Sequence, residues 1–388
     1  MNSVAELRLR AQARLPRVVF DFIDGGAGNE AALRRNERAF EALCLVPRVF
    51  RACGQRDLST RLLGRRYALP FGVTPMGLCN LAWPGTEAGL ASAAAKAGMP
   101  YVLSTMASTT IEEITRLAPE HTWFQIYLGG DPATAKALLD RAEAAGIETL
   151  VLTVDANFTA RRLRDRANGF ALPLRPTPRL IADLLRHPHW SLATASAGAP
   201  TFANFRGAPG EGPSITIGAM LQSLAQAQID WSTLEQLRAR WKRRLIVKGV
   251  LHPDDARRIA GMGADGIVVS NHGGRQLGAV PATIEVLPAI REAVGPHFSL
   301  LLDSGVRCGD DVTKALAAGA DFVLVGRPFL FGTGALGAAR GPDATIDILR
   351  GELDTALAQL GCSRIADLHP GMFFASPAIR HTRPGDPS

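Results

Sequence analysis

The 388-residue sequence predicts a one-domain α/β protein. The expected fold is a closed (β/α)8 barrel of the TIM type, with an N-terminal helical extension and a long insertion after the fourth strand. Three observations predict it. From residue 69 onward, short apolar runs alternate with polar turns and helix-like segments, and eight such runs can be read. The runs are continuously apolar, as suits parallel strands covered on both faces; a half-exposed sheet would alternate. The competing arrangement is an open doubly wound sheet, but no G-x-G-x-x-G follows the first run.

Taken in order, residues 1–68 form the helical extension, interrupted by the glycine-rich turn DGGAGNE (24–30). The barrel spans 69–360. Its strands are expected at LPFGVTP (69–75), PYVLST (100–105), WFQIYL (123–128), TLVLTVD (149–155), RLIVKGV (244–250), GIVVSN (266–271), SLLLDSG (299–305) and FVLVGRP (322–328). Segments such as GTEAGLASAAAKAG, DPATAKALLDRAEAAG, HPDDARRIAGMGA and DDVTKALAAGA read as the intervening helices, each closing near a glycine. Residues 170–230, rich in Pro, Gly, Ala and Ser, break the rhythm. A loop this long inside a compact fold is expected to be functional or mobile.

Composition narrows the function. With 47% hydrophobic and 20% charged residues, the chain can bury a large core. The net charge of +7, mostly from arginine, suits anionic substrates, phosphates or a membrane surface. It forms no dense basic stripe and meets no aromatic platform, so nucleic acid is excluded as a partner. The five cysteines fall in no C-x-x-C pair, which leaves no disulfide framework, no zinc site and no metal site to expect. The first residues lack the apolar core of a signal peptide, and no run reaches membrane-spanning length. A cytoplasmic protein is expected, possible peripheral contact with the inner face of the cell membrane included.

The chemistry collects where the strands end, the rim at which barrels of this kind hold their active sites. Those ends supply Pro75 to Gly77, Ser104, Gln125, Tyr127, Thr153, Asp155, Lys248, Ser270 to Arg275, Asp303 to Arg307, Gly326 and Arg327. Singly, each is a polar turn or a helix cap; together they make an active site. DSGVR and VGRP follow the last two strands, where glycine lets backbone N–H groups approach an anion and Arg307 and Arg327 add charge, so a phosphate is expected there. In SNHGGRQL (270–277), His272 with Asp155 as its orienting carboxylate would make a general base. Arg162 and Arg275 suit a bidentate carboxylate clamp. Lys248 places a fixed positive charge in the barrel mouth.

SNHGGRQL, LIVKGV, WFQIY, LTVD, DSGVR and VGRP, in this order and spacing, resemble the FMN-dependent L-2-hydroxy acid oxidase/dehydrogenase family. The likeness runs from LPRVVFDFIDGGAGNE (15–30) to the C-terminal helix. It implies FMN as cofactor and oxidation of a lactate- or mandelate-type L-2-hydroxy acid to the 2-oxo acid. His272 would take the hydroxyl proton while the electrons of the carbon-bound hydrogen pass to flavin N5, with Asp155 orienting the ring. Arg162 and Arg275 would bind the substrate carboxylate, Tyr127 would hydrogen-bond the substrate, and Lys248 would stabilise reduced flavin. Pro75, Met76, Gly77, Ser104, Gln125, Thr153 and Ser270 would hold the isoalloxazine and ribityl parts. Gly273, Asp303, Gly305, Arg307, Gly326 and Arg327 would serve the ribityl and phosphate end. Relatives are often tetramers, so a homo-oligomer is expected.

Two positions depart from the family pattern. The stretch FDF places Phe22 where the family usually has a tyrosine whose phenol reaches the substrate carboxylate, and Met76 replaces a smaller or hydroxylated residue. Gly77 resembles the dehydrogenase version of the motif and is expected to leave room for a larger substrate, with electrons going to a quinone or other acceptor. The alternative is an oxygen-using oxidase of the hydroxymandelate or glycolate type; a flavin-binding barrel without catalysis is the reading from another class. In RLIADLLRHPHWSL (179–192), residues 180, 181, 184, 185 and 192 are expected on one helical face with Trp190 near its end, as a membrane contact or as a lid over the barrel.

Overall fold

The computed structural model describes residues 1–128, 131–156, 158, 160–170, 176–205 and 229–374. A short antiparallel hairpin, β1 (Thr60–Leu62) and β2 (Arg65–Tyr67), precedes the barrel. The barrel strands are β3 (Phe71–Val73), β4 (Tyr101–Ser104), β5 (Thr122–Ile126), β6 (Thr149–Thr153), β7 (Arg244–Val250), β8 (Gly266–Val269), β9 (Ser299–Leu302) and β10 (Phe322–Val325). All pair in parallel and in sequence order, and β10 closes on β3. Each of the eight expected strands is found: β7 at the expected bounds, β5 beginning one residue earlier, and the other six shorter.

Alternation along these strands divides the core in two. Val102, Trp123, Val151, Ile246, Val268, Leu301 and Phe322 fill the barrel, while their neighbours Leu103, Phe124, Leu150, Leu245, Ile267, Leu300 and Val323 face the helices. The hairpin corrects the expectation of a purely helical extension. Leu63 and Gly64 both have positive φ, the geometry of a two-residue turn between strands, and so short a hairpin carries little periodic signal. Its Tyr67 ring meets Trp123 and Phe322 edge-on, at centroid distances of 6.3 and 5.7 Å, and plugs the end of the barrel opposite the site.

The N-terminal helices are α1 (Val4–Arg14), α2 (Arg17–Asp24) and α3 (Ala31–Glu41). Around and beyond the barrel run α4 (Thr86–Lys96), α5 (Ile111–Leu117), α6 (Pro132–Ala144), α7 (Leu163–Ala167), α8 (Pro178–Arg186), α9 (Pro188–Ala197) and α10 (Trp231–Arg240). They are followed by α11 (Pro253–Gly261), α12 (Thr283–Val294), α13 (Gly309–Ala317), α14 (Arg327–Leu336) and α15 (Gly341–Leu360). Helix α1 packs on α14, where Gly334 leaves the space that Leu15 and Ala11 occupy. This contact sets α2 across the mouth of the barrel.

Of the insertion 170–230, residues 171–175 and 206–228 lie outside the described residues. The expected single amphipathic helix over 179–192 is two helices, because Pro188 lacks an N–H and opens α9 at its first turn. Its apolar side chains also divide. Leu180 and Leu184 pack against the core, while Ile181, Leu185 and Leu192 face solvent. Trp190 does not join the outward group: it is buried, and its indole N–H donates to the Leu81 carbonyl at 3.0 Å. Among the described residues no helix is long and apolar enough to cross a membrane.

Candidate active site

The C-terminal ends of the strands open into a cavity of about 600 Å³. Volumes of this order accept ligands of cofactor or drug size. The wall combines apolar and aromatic side chains (Phe22, Met76, Met106, Phe158, Phe170 and Phe202) with Tyr127, Arg162, Lys248, His272, Arg275, Asp303, Arg307 and Arg327. Of the predicted site residues, Pro75, Met76, Gly77, Ser104, Gly273, Gly305 and Gly326 also line it. Asp155, Gln125, Thr153 and Ser270 stand directly behind the lining, each bonded or strand-paired to a residue on it.

His272 follows β8 in a left-handed conformation (φ 58°), as do Gly273 and Gly274 after it. At Gly274 only glycine fits, since a Cβ would stand 2.5 Å from the Leu33 nitrogen. This turn carries the imidazole over the cavity, where Nδ1 lies 2.9 Å from Asp155 Oδ1. The other Asp155 oxygen, Oδ2, is buried without a partner. With Nδ1 protonated toward the carboxylate, Nε2 is left as a proton acceptor.

Lys248, on β7, is nearly sealed from solvent. Its Nζ donates to Ser270 Oγ at 2.7 Å and lies 3.0 Å from Asp303 Oδ2. Asp303 also accepts from the hydroxyls of Thr74, at 2.8 Å, and Ser304, at 2.9 Å. Burial opposes its ionisation, but Lys248 and the hydroxyls of Ser270 and Thr74 hold its pKa below the ordinary carboxylate value. Asp303 is therefore the counter-charge of Lys248, a partnership that the expected ribityl or phosphate contact does not include.

Arg275 and Arg327 are gripped by the end of α2. Arg275 Nη1 donates to the carbonyls of Phe22 at 2.7 Å and Gly25 at 2.9 Å. Arg327 donates to Ile23, Gly273 and Gly25 carbonyls at 2.8–3.0 Å. Burial, then the neighbouring guanidiniums, pulls the pKa of both below the usual arginine value. Arg162 is also desolvated, and its Nε has no partner. Burial and the nearby Asp155 raise the Tyr127 pKa, keeping the phenol a hydrogen-bond donor. Arg307 reaches the cavity too, but one of its nitrogens is held by Glu37 at 2.8 Å.

The Phe22 ring lies on Phe170 with centroids 4.5 Å apart and planes 10° off parallel, and the Arg275 guanidinium sits 5.1 Å from its centre. Gly77 corrects an expectation. A Cβ there would point at Met106, 2.8 Å from its Cβ and 3.3 Å from its carbonyl oxygen, so the missing methyl lets two loops touch. Phe170, Met106 and Thr74 escaped the sequence reading. Thr74 adjoins Pro75, but the two hydrophobes carry no signal of their own.

The residues present fit a flavin nucleotide. Gln125 Nε2 and Thr153 Oγ1 are buried hydrogen-bonding atoms without protein partners, next to Ser104 and Lys248 respectively. Gly305 (φ 98°) lets the loop after β9 pack on α3, since a Cβ would meet the Asn36 carbonyl oxygen at 2.9 Å.

The FMN-dependent dehydrogenase family profile matches residues 11–375. An L-lactate dehydrogenase of Stenotrophomonas maltophilia (strain R551-3) is 40% identical over 372 residues, covering 95% of this chain and 97% of the relative. An (S)-mandelate dehydrogenase of Pseudomonas putida is 37% identical over 385 residues, 99% and 96% of the two chains. Among solved structures, a monotopic membrane protein (S)-mandelate dehydrogenase superposes with a TM-score of 0.91 at 37% identity, covering 96% of this chain and 99% of that one. A mandelate oxidase superposes with a TM-score of 0.80 at 36% identity, with 95% and 97% covered. The chain belongs to the FMN-dependent dehydrogenase family, and it is an oxidoreductase that uses FMN to oxidise the CH–OH group of an L-2-hydroxy acid.

Proposed function

We propose that the substrate is a mandelate-type L-2-hydroxy acid with an aromatic side chain, and that a quinone-like acceptor receives the electrons. The observation that carries this reading is the aromatic lining: the Phe22–Phe170 stack, with Phe158, Phe202 and Met106, offers an apolar surface in the same cavity as the cationic groups. A methyl-bearing substrate would leave that surface uncovered, whereas an aryl group gains both area and stacking.

In this reading Arg162 and Arg275 hold the substrate carboxylate, and the Tyr127 phenol donates to the substrate from beside them. His272 Nε2 takes the hydroxyl proton, and Asp155 stabilises the imidazolium that results. Bound FMN would supply the two-electron acceptor for the C2 hydrogen and its bonding electron pair. Lys248, with its charge fixed by Asp303, offsets the negative charge that develops there. Pro75, Met76, Gly77, Ser104, Gln125, Thr153 and Ser270 surround the ring system and ribityl chain; Gly273, Gly305, Arg307, Gly326 and Arg327 serve the phosphate end.

The outward side chains Ile181, Leu185 and Leu192, flanked by Arg179 and Arg186, support peripheral contact with the inner face of the cell membrane, where a quinone would be reached. A homotetramer completes the proposal. The test is an anaerobic titration of the yellow protein with (S)-mandelate, L-lactate and glycolate. Bleaching at lowest concentration by (S)-mandelate is expected, with slow return of colour in air. Preferential bleaching by L-lactate refutes the aryl reading, and immediate recolouring in air favours an oxidase.

A further inference from the structure

Arg162 and Arg275 at the proposed carboxylate site face Asp165, and Arg327 at the phosphate end faces Asp24 and Glu37, without pairing with them. Helix α2 grips Arg275 and Arg327 through its terminal carbonyls, yet the same helix carries Asp21 and Asp24, and Glu30 follows one turn later. None of the ion pairs among the described residues involves Arg162, Arg275 or Arg327.

The acids are taken by a different arginine. Arg164, on α7 and two residues from Arg162, forms a fork with Glu30, Nε to Oε1 at 2.9 Å and Nη2 to Oε2 at 2.6 Å. Its Nη1 reaches Asp24 Oδ2 at 2.9 Å and Asp21 Oδ1 at 3.2 Å. Arg8 forks onto the same Asp24 at 2.7 and 2.9 Å, and Arg17 meets Asp21 at 3.3 Å. Asn168, also past α7, donates to Asp21. Asp165, next in the chain and partly buried, faces Arg275 and Arg162 without an ion pair. The backbone joins the same two segments, with the Gly28 N–H donating to the Arg161 carbonyl at 2.8 Å.

We propose that Arg164 is a positioning residue that sequesters Asp21, Asp24 and Glu30, so that Arg162 and Arg275 stay free for the substrate carboxylate while the 160–168 loop is pinned to the N-terminal extension. The inference rests on the reading that Arg162 and Arg275 bind that carboxylate. Without Arg164, Glu30 would lose its ion-pair partner while Asp24 keeps Arg8 and Asp21 keeps Arg17, leaving the Glu30 carboxylate free to compete with the substrate and the loop that carries Arg162 unpinned. Arg164 acts on binding more than on the chemical step, because it touches neither His272 nor Lys248.

The experiment compares FMN-loaded parent, Arg164→Met, Arg164→Lys and the double variant Arg164→Met/Glu30→Gln, with visible absorbance reporting flavin content. For Arg164→Met, KM for the hydroxy acid is expected to rise about tenfold or more while kcat changes little. The defect shrinks as pH falls toward the carboxylate range, since protonated acids no longer compete. Removing the Glu30 charge in the double variant recovers much of the KM. An unchanged KM in Arg164→Met, or a double variant no better than the single one, overturns the proposal. Should Arg164→Met fail to fold, Arg164→Lys and the double variant carry the comparison, and a KM in the double variant below that of Arg164→Lys is the expected sign. Arg162→Met separates the premise: if its KM is that of the parent, the carboxylate reading fails, whatever Arg164 does.

Discussion

Replacing Lys248 by methionine would separate what this side chain does for the fold from what it does for the reaction. Lys248 and Asp303 are only 4% and 6% exposed and lie 3.0 Å apart. Removing one member of a buried pair costs about 3–5 kcal/mol, because the other charge is stranded. Thr74 and Ser304 still donate to Asp303, so the lower end, about 3 kcal/mol, is expected. In a chain of this size that is roughly a 5 °C fall in Tm.

The pH dependence has a definite sign. In the parent, the folded pKa of Asp303 lies below its unfolded value, so the pair's stabilisation is complete above the unfolded value and is lost as pH falls through the folded one. In Lys248→Met, burial is opposed only by hydroxyl hydrogen bonds and is expected to outweigh them and raise the folded pKa, so the variant loses stability as pH rises. The gap in Tm between the two FMN-loaded proteins should widen toward about pH 8 and narrow toward about pH 5. Lys248→Met/Asp303→Asn removes the stranded charge and should recover most of the stability. Its anaerobic flavin reduction should stay slower than the parent's by roughly 10²–10³-fold, since the fixed charge is still missing. A single variant as stable as the parent at every pH, or a double variant that reduces flavin at the parental rate, would refute the reasoning.

Other substitutions probe the remaining parts. Asp155→Asn leaves the 2.9 Å contact to His272 but removes its charge; a charge-assisted hydrogen bond is worth about 1.5–3 kcal/mol, so single-turnover flavin reduction should slow by about 10–150-fold with FMN content unchanged. Glu87, at the start of α4, accepts from the N–H groups of Cys79 and Ser108 at 3.2 and 2.9 Å, and burial pushes its pKa up to about 7. Its folded pKa lies above the unfolded one, so stability falls as pH rises between the two values; Glu87→Gln should match the parent's Tm near pH 5 and exceed it near pH 8, by about 3 kcal/mol at most. Phe22→Leu keeps an apolar side chain but loses the ring stack and the Arg275 contact, each worth about 1 kcal/mol. The ratio of kcat/KM for (S)-mandelate over L-lactate should then fall at least about fivefold; an unchanged ratio would remove Phe22 from the specificity wall.

The barrel and most of the rim were legible in the chain. Runs such as LVLT and GIVV lack alternation because one set of side chains fills the barrel and the other meets helices, so the strands announce themselves by continuous apolarity. Once eight such runs are ordered, topology brings their C-terminal ends to one rim, and His272, Lys248 and Arg275 need no further information to share a cavity. Less visible were the features that depend on distant segments. The β1–β2 hairpin is two three-residue strands around Leu63 and Gly64, too short for periodicity. The helix expected over 179–192 divides at Pro188 and buries Trp190, because Leu81 lies beneath it.

By itself, then, the sequence determined the fold, through local apolarity, and its motifs carried the resemblance that implies FMN chemistry. Only the tertiary structure decided how neighbouring or like residues divide their work. Among the described residues Arg162 forms no ion pair while Arg164, two positions on, binds three acids; Gly77 turns its missing methyl to Met106; Phe22 finds Phe170 from far along the chain. The physical reason is that partner choice is settled by side-chain direction and by desolvation inside the packed molecule. Both belong to contacts between segments that are remote in the sequence.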